Sequence, residues 1–110
     1  MAGNARKYTE TFSADGDSVI YQVSGNTGQS GVEPIGYSIA GTWGSGTATL
    51  YVCYDTTASP LVFAPPANGA WTADIADKLD IPNNCYIKFT LSGSTTPSLG
   101  LTLYGDIKPA

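Results

Sequence analysis

Apolar and polar residues alternate along most of this chain, and no segment keeps a helical period over three turns. The alternation marks eight candidate strands: Tyr8–Phe12, Ser18–Val23, Ile35–Trp43, Thr47–Tyr54, Leu61–Ala64, Ala70–Ile75, Cys85–Ser92 and Ser98–Ile107. Clusters of Gly, Pro, Asn, Asp, Ser and Thr separate them, as in "ADGD", "DTTASP", "IPNN" and "GSTTP". Asp74–Leu79 is read as a single helical turn.

Two pairs of these strands can be put in register. With Gly44-Ser45 as a two-residue loop of the Gly-X, type II′ kind, Ile39 falls opposite Leu50, Tyr37 opposite Val52 and Ile35 opposite Tyr54. A slip of one residue would mix the two faces. Near the C-terminus, pairing Leu91 with Leu99 brings Phe89 to Leu101 and Ile87 to Leu103. Both pairs are predicted to be hairpins with one apolar face. Packing such faces together predicts an all-β fold, an antiparallel β-sandwich or jelly roll of about eight strands. One domain is expected over residues 9–110, preceded by a flexible N-terminal arm over residues 1–8. Pro34 and the loop from Gly25 form a further candidate contact.

The outward faces carry Thr47, Thr49, Tyr51 and Cys53 on one pair, and Tyr86, Lys88, Thr90, Thr102 and Tyr104 on the other. Tyr and Thr suit any strand. They also suit contact with other protein, because interface cores are rich in Tyr and Trp and poor in charge. Composition adds weight to the second reading, since only 13% of the 110 residues are charged, about half the usual fraction. The candidate contact residues are Tyr51, Tyr86 and Tyr104 on these faces, Trp43 before the turn, and Arg6 and Lys7 in the N-terminal arm.

A net charge of −4 without a long basic run argues against nucleic acid and anionic lipid as partners. No apolar run is long enough for a transmembrane helix, and "MAGNARKYTE" lacks the apolar stretch of a secretory signal. Folding in a cytoplasm is expected, with Cys53 and Cys85 as free thiols on opposite faces.

Histidine is absent, so Ser-His-Asp and Cys-His catalysis is excluded within one chain. Two isolated cysteines make no structural zinc site. The glycines of "GTWGSGT" precede a strand, not the helix that a phosphate loop requires. Most of the nine carboxylates sit in turns, where Asp bonds local backbone. Asp15 and Asp17 have the chemistry for calcium, but "ADGD" is far shorter than a calcium loop and reads as a plain turn. "DIADKLD" reads as a solvated stretch. Trp43 and Trp71 are read mainly as core, with subunit contact or sugar stacking as alternatives. No catalytic residue, cofactor or metal is expected, and the protein is not expected to be an enzyme.

The segments "YSIAGTWGSGTATLYVCYDTT", "LVFAPPANGAWTADI" and "LDIPNNCYIKFTLSGSTTPSLGLTLYGDI" follow one another over residues 35–107. In this order they resemble small β-sandwich structural proteins of tailed bacteriophages, and most of all head decoration, or cement, proteins. Where such proteins often carry a pattern like S-x-D-G-G-T-W, this chain has "CYDTTASPLVF". The resemblance implies a non-catalytic virion protein, made in the host cytoplasm, that binds the major capsid protein across capsomers and reinforces the head. It implies self-association as a homodimer or homotrimer, and it transfers no binding residue. A tail, neck or head-fibre-base component and a carbohydrate-binding module are the alternatives.

Overall fold

A computed structural model describes residues 6–23, 32–65 and 69–110. These form ten strands: β1 (Arg6–Phe12), β2 (Gly16–Asp17), β3 (Tyr21–Val23), β4 (Val32–Thr42), β5 (Thr47–Cys53), β6 (Ala70–Trp71), β7 (Ile75–Pro82), β8 (Tyr86–Ser92), β9 (Ser98–Gly105) and β10 (Ile107–Pro109). They make two antiparallel sheets packed face to face. One has the order β1-β9-β4-β7; the other has the order β10-β3-β8-β5-β6, with β2 also on β8. The protein is an all-β antiparallel sandwich, as expected, with ten strands among the described residues.

The alternating apolar residues converge between the sheets, as periodicity requires. Ile35, Tyr37 and Ile39 of β4 and Leu99, Leu101 and Leu103 of β9 are buried from one side. Leu50 and Val52 of β5 and Ile87, Phe89 and Leu91 of β8 are buried from the other. Tyr37 lies 5.0 Å from Trp71 and 6.0 Å from Phe89, ring centre to ring centre, and ties the two layers together.

The strand partners differ from the expected hairpins. β4 bonds to β9 and β7, and β5 bonds to β8 and β6. Each expected hairpin is therefore an arch, whose two strands lie in opposite sheets and look at each other across the core. The two arches stack side by side, which creates the β4–β9 and β5–β8 ladders. The expected two-residue turn is present, with Gly46 N–H donating to Trp43 O at 2.9 Å. Gly44 and Ser45 both have positive φ, +58° and +65°, so it has the backbone of a type I′ turn rather than type II′. The second arch touches the first at its tip, where Thr95 N–H donates to Gly44 O at 2.9 Å.

Four smaller expectations are also corrected. Asp74–Leu79 is not a helical turn: Ile75–Pro82 is an edge strand on β4, with Ile75, Leu79 and Ile81 turned toward the core. Leu61–Ala64 forms no strand and contributes one bridge, from Ala64 to Val52. The last strand breaks at Asp106, where the chain crosses from one sheet to the other as β10. Arg6, Lys7 and Tyr8 belong to β1, paired with Gly105, Tyr104 and Leu103, so any arm ends before Arg6. Residues 1–5 and 24–31 of the expected arm and loop lie outside the described residues.

Candidate functional site

Most described carboxylates are engaged in holding loops to the sandwich. Asp15 accepts the backbone N–H groups of Gly93 and Ser94 and the Ser94 hydroxyl, and these bonds lower its pKa. Asp55 accepts the Thr57 hydroxyl and backbone N–H, which lower its pKa likewise. Glu10 accepts the Tyr21 hydroxyl at 2.6 Å and the Val19 N–H at 3.2 Å. Burial, and then Glu10, push the Tyr21 phenol well above its ordinary pKa. Asp15 and Asp17 turn to separate partners. Among the described residues, no three metal-ligating side chains converge.

The six residues predicted as contacts separate onto four parts of the surface. Lys7 and Tyr104 are register partners on the outer face of the β1-β9-β4-β7 sheet, and Tyr104 is 57% exposed. Arg6 is exposed at the start of the β1 edge. Tyr51 and Tyr86 lie on the outer face of the other sheet, both half-buried. Trp43 sits at the arch tip, where its indole N–H donates to Asp74 Oδ1 at 2.8 Å and its ring packs on the core. Trp71 is also a core ring.

The most developed arrangement surrounds Lys88, in the middle of β8. Pairing places Lys88 opposite Tyr51, and the short β2 brings Asp17 beside Thr90. Lys88 Nζ donates to Asp17 Oδ2 at 3.1 Å, and the Thr90 hydroxyl donates to Asp17 Oδ1 at 2.7 Å. The Thr90 bond, then Lys88, lower the Asp17 pKa. The ammonium also lies 4.6 Å from the centre of the Phe63 ring and 6.0 Å from that of Tyr51, within cation–π range. Asp17, Tyr51, Phe63, Lys88 and Thr90 enclose an open depression of about 280 Å³. The loop after β5, which carries Phe63, exposes Tyr54 (63%) and Val62 (70%).

This arrangement offers aromatic surface, a paired cation and hydroxyl groups to a docking partner. Tyr51, Lys88 and Thr90 were legible as outward positions of alternating strands. Asp17 and Phe63 were not, because they arrive from a two-residue strand and from an irregular loop.

Both cysteines are free and buried. Cys85 lies within the core, whereas Cys53 is on the outward side of β5, covered, with its thiol directed to Asp55 O at 3.3 Å. Burial raises the Cys85 pKa, with the neighbouring Cys53 adding to it.

No protein-family model matches the chain, and no curated protein matches its sequence.

Proposed function

We propose that the protein is a non-catalytic structural component that docks on the surface of a larger protein assembly. Following the resemblance to tailed-phage head proteins, the assembly is the phage capsid, and the role is decoration and reinforcement of the shell. The observation that carries this reading is the outer face around Lys88. Tyr51 and Phe63 lie within cation–π range of one paired cation, Tyr86 is on the same outer face, and the loop that carries Phe63 also exposes Tyr54 and Val62. An aromatic, charge-poor patch of this kind has the composition of a protein interface. Repetition over a symmetric shell multiplies a modest contact through avidity.

Cosedimentation of the purified protein with expanded, undecorated heads, across a salt series, tests the proposal. The expected result is saturable binding at a fixed copy number per capsomer, reduced in Lys88→Ala and Tyr51→Ala. Absence of binding at every salt concentration would overturn the capsid assignment.

One observation favours a second reading, a carbohydrate-binding module. Aromatic rings flank a carboxylate and a hydroxyl in the same depression. The platform would be Tyr51 and Phe63, not the tryptophans. Saturable glycan binding that is lost in Phe63→Ala would favour it over the capsid.

A further inference from the structure

Two acids occupy core positions at the end of the sandwich where β4 begins and β9 gives way to β10. The inward row of β4 reads Glu33, Ile35, Tyr37, Ile39, so alternation turns the Glu33 carboxyl toward the core. Asp106 lies at the crossover between the sheets, between Gly105 of β9 and Ile107 of β10. The crossover runs close against β4. A Cβ on Gly105 would lie 2.8 Å from Ile35 Cδ1 and 3.2 Å from Pro34 O. A glycine at this position permits the approach, and the approach brings Asp106 beside Glu33.

The two carboxyls are more than nine-tenths buried, with Glu33 8% exposed and Asp106 5%. Glu33 Oε1 and Asp106 Oδ2 are fully covered and have no hydrogen-bond partner. The surroundings are apolar. Ile81 is the register partner of Glu33, Val23 is that of Ile107, and all three are at most 2% exposed. Burial, then the Asp106 charge, raise the Glu33 pKa, while the Asp106 backbone N–H acts on the same carboxyl in the opposite sense. Lysine and arginine do not answer this charge: among the described residues the one salt bridge is Lys88 to Asp17, on an outer face. Buried charges are normally paired or coordinate a metal ion. Asp15 and Asp17 differ, since hydrogen bonds already engage their oxygens.

We propose that Glu33 and Asp106 together hold a hard divalent cation, with calcium as the best fit. Two carboxylates carry the charge that one such ion neutralises. Their oxygens select hard cations over soft ones. Calcium accepts irregular geometry, whereas magnesium demands a near-ideal octahedron. A bound ion would join the start of β4 to the crossover, and so clasp the two sheets at this end. Two protein carboxylates are few for calcium, which places the expected Kd at about 0.1–1 mM. The site is independent of docking on a larger assembly.

The test is equilibrium dialysis of the protein against radioactive calcium up to about 10 mM, in about 0.15 M NaCl to screen the surface acids, with melting curves in calcium and in chelator. The expected result is saturation at one ion per chain. At about 10 mM calcium the melting temperature should lie roughly 5–10 °C above that in chelator. Glu33→Gln and Asp106→Asn keep the shape of each side chain and remove its charge, so both should lose the bound ion and the shift. Should Glu33→Gln not fold, Glu33→Leu, suited to the core row, takes its place. Asp80→Asn removes an exposed acid from the neighbouring strand and should keep both the ion and the shift. No saturable site in the wild type would overturn the proposal, the pair then holding a proton instead. A site that survives in either Glu33→Gln or Asp106→Asn, or one that Asp80→Asn also abolishes, would overturn it too.

Discussion

Replacing Gly44 by alanine tests the arch architecture at its weakest tolerance. A Cβ at this position would lie 2.1 Å from the Thr95 carbonyl oxygen and 3.0 Å from Thr95 N and C. The added methyl group therefore meets backbone of the second arch, which must move away. Three costs combine. Holding an alanine at φ +58° costs about 1–2 kcal/mol, of which roughly 0.4–1 is offset by the lower entropy of the unfolded chain. Displacing the 93–97 loop breaks the Thr95 N–H to Gly44 O bond, worth about 1 kcal/mol. Residual overpacking adds about 1 kcal/mol. The sum is about 3 kcal/mol, or a fall of roughly 12 °C in Tm at about 4 °C per kcal/mol. Gly93→Ala is the control, since Gly93 also has a positive φ, +68°, but nothing lies within 4 Å of its Cβ position. It should lose only the conformational part, about 1 kcal/mol. Urea unfolding followed by circular dichroism measures both variants. A difference between them smaller than about 0.5 kcal/mol would refute the contact between the arch tips.

Two further outcomes follow from buried groups. Glu33 and Asp106 are buried carboxyls at one end of the sandwich, and burial, then the Asp106 charge, raise the Glu33 pKa. A folded pKa above the unfolded one means that this contribution is complete below the ordinary carboxylate range and is lost as pH rises through the raised value. Glu33→Gln should therefore gain stability over wild type as pH rises from about 4 to about 8. Urea midpoints across that range check it, and a variant no more stable at the upper end contradicts it. The lowered pKa values of Asp15, Asp17 and Asp55 act oppositely, with stability lost as pH falls below the ordinary range. Cys53 and Cys85 are both buried, so a thiol reagent should label them only through opening of the fold. Labelling rates should follow denaturant concentration, and fast labelling of either thiol in native buffer contradicts this.

The buried faces of β4, β5, β8 and β9 were legible from alternation, because side-chain period two leaves no choice once one face is apolar. Ile35, Tyr37, Ile39, Leu50, Val52, Ile87, Phe89, Leu91, Leu99, Leu101 and Leu103 are all in the core. The pairing of the strands was not legible. Ile39 and Leu50 converge equally well as hydrogen-bonded neighbours on one sheet or as facing residues across a core, so register cannot separate a hairpin from an arch. β7 escaped notice because Asp77 interrupts the inward row of Ile75, Leu79 and Ile81. Charge on an edge strand discourages pairing with another chain, and here it also hides the strand. At the candidate site, Tyr51 and Tyr86 could be placed on an outward face by parity. The Lys88–Asp17 pair spans 71 residues and depends on a β2–β8 contact that no local pattern announces.

Splitting each arch between the sheets has a consequence for the two surfaces. β4 carries Gly36 on one outer face, and β5, joined to it by the 43–46 turn, carries Tyr51 on the other. β8 and β9 likewise carry Lys88 and Tyr104 on opposite faces. Neither face is built from a contiguous piece of chain, so neither can be loosened alone by a fault in the scaffold. Surface changes behave differently, because their side chains touch only one side. Gly44→Ala should thus lower the melting temperature and the proposed docking together, whereas Lys88→Ala should weaken the docking and leave the melting temperature unchanged. A Lys88→Ala protein that cosediments with heads as the wild type does, at an unchanged melting temperature, would mean that the Lys88 face is not the docking face.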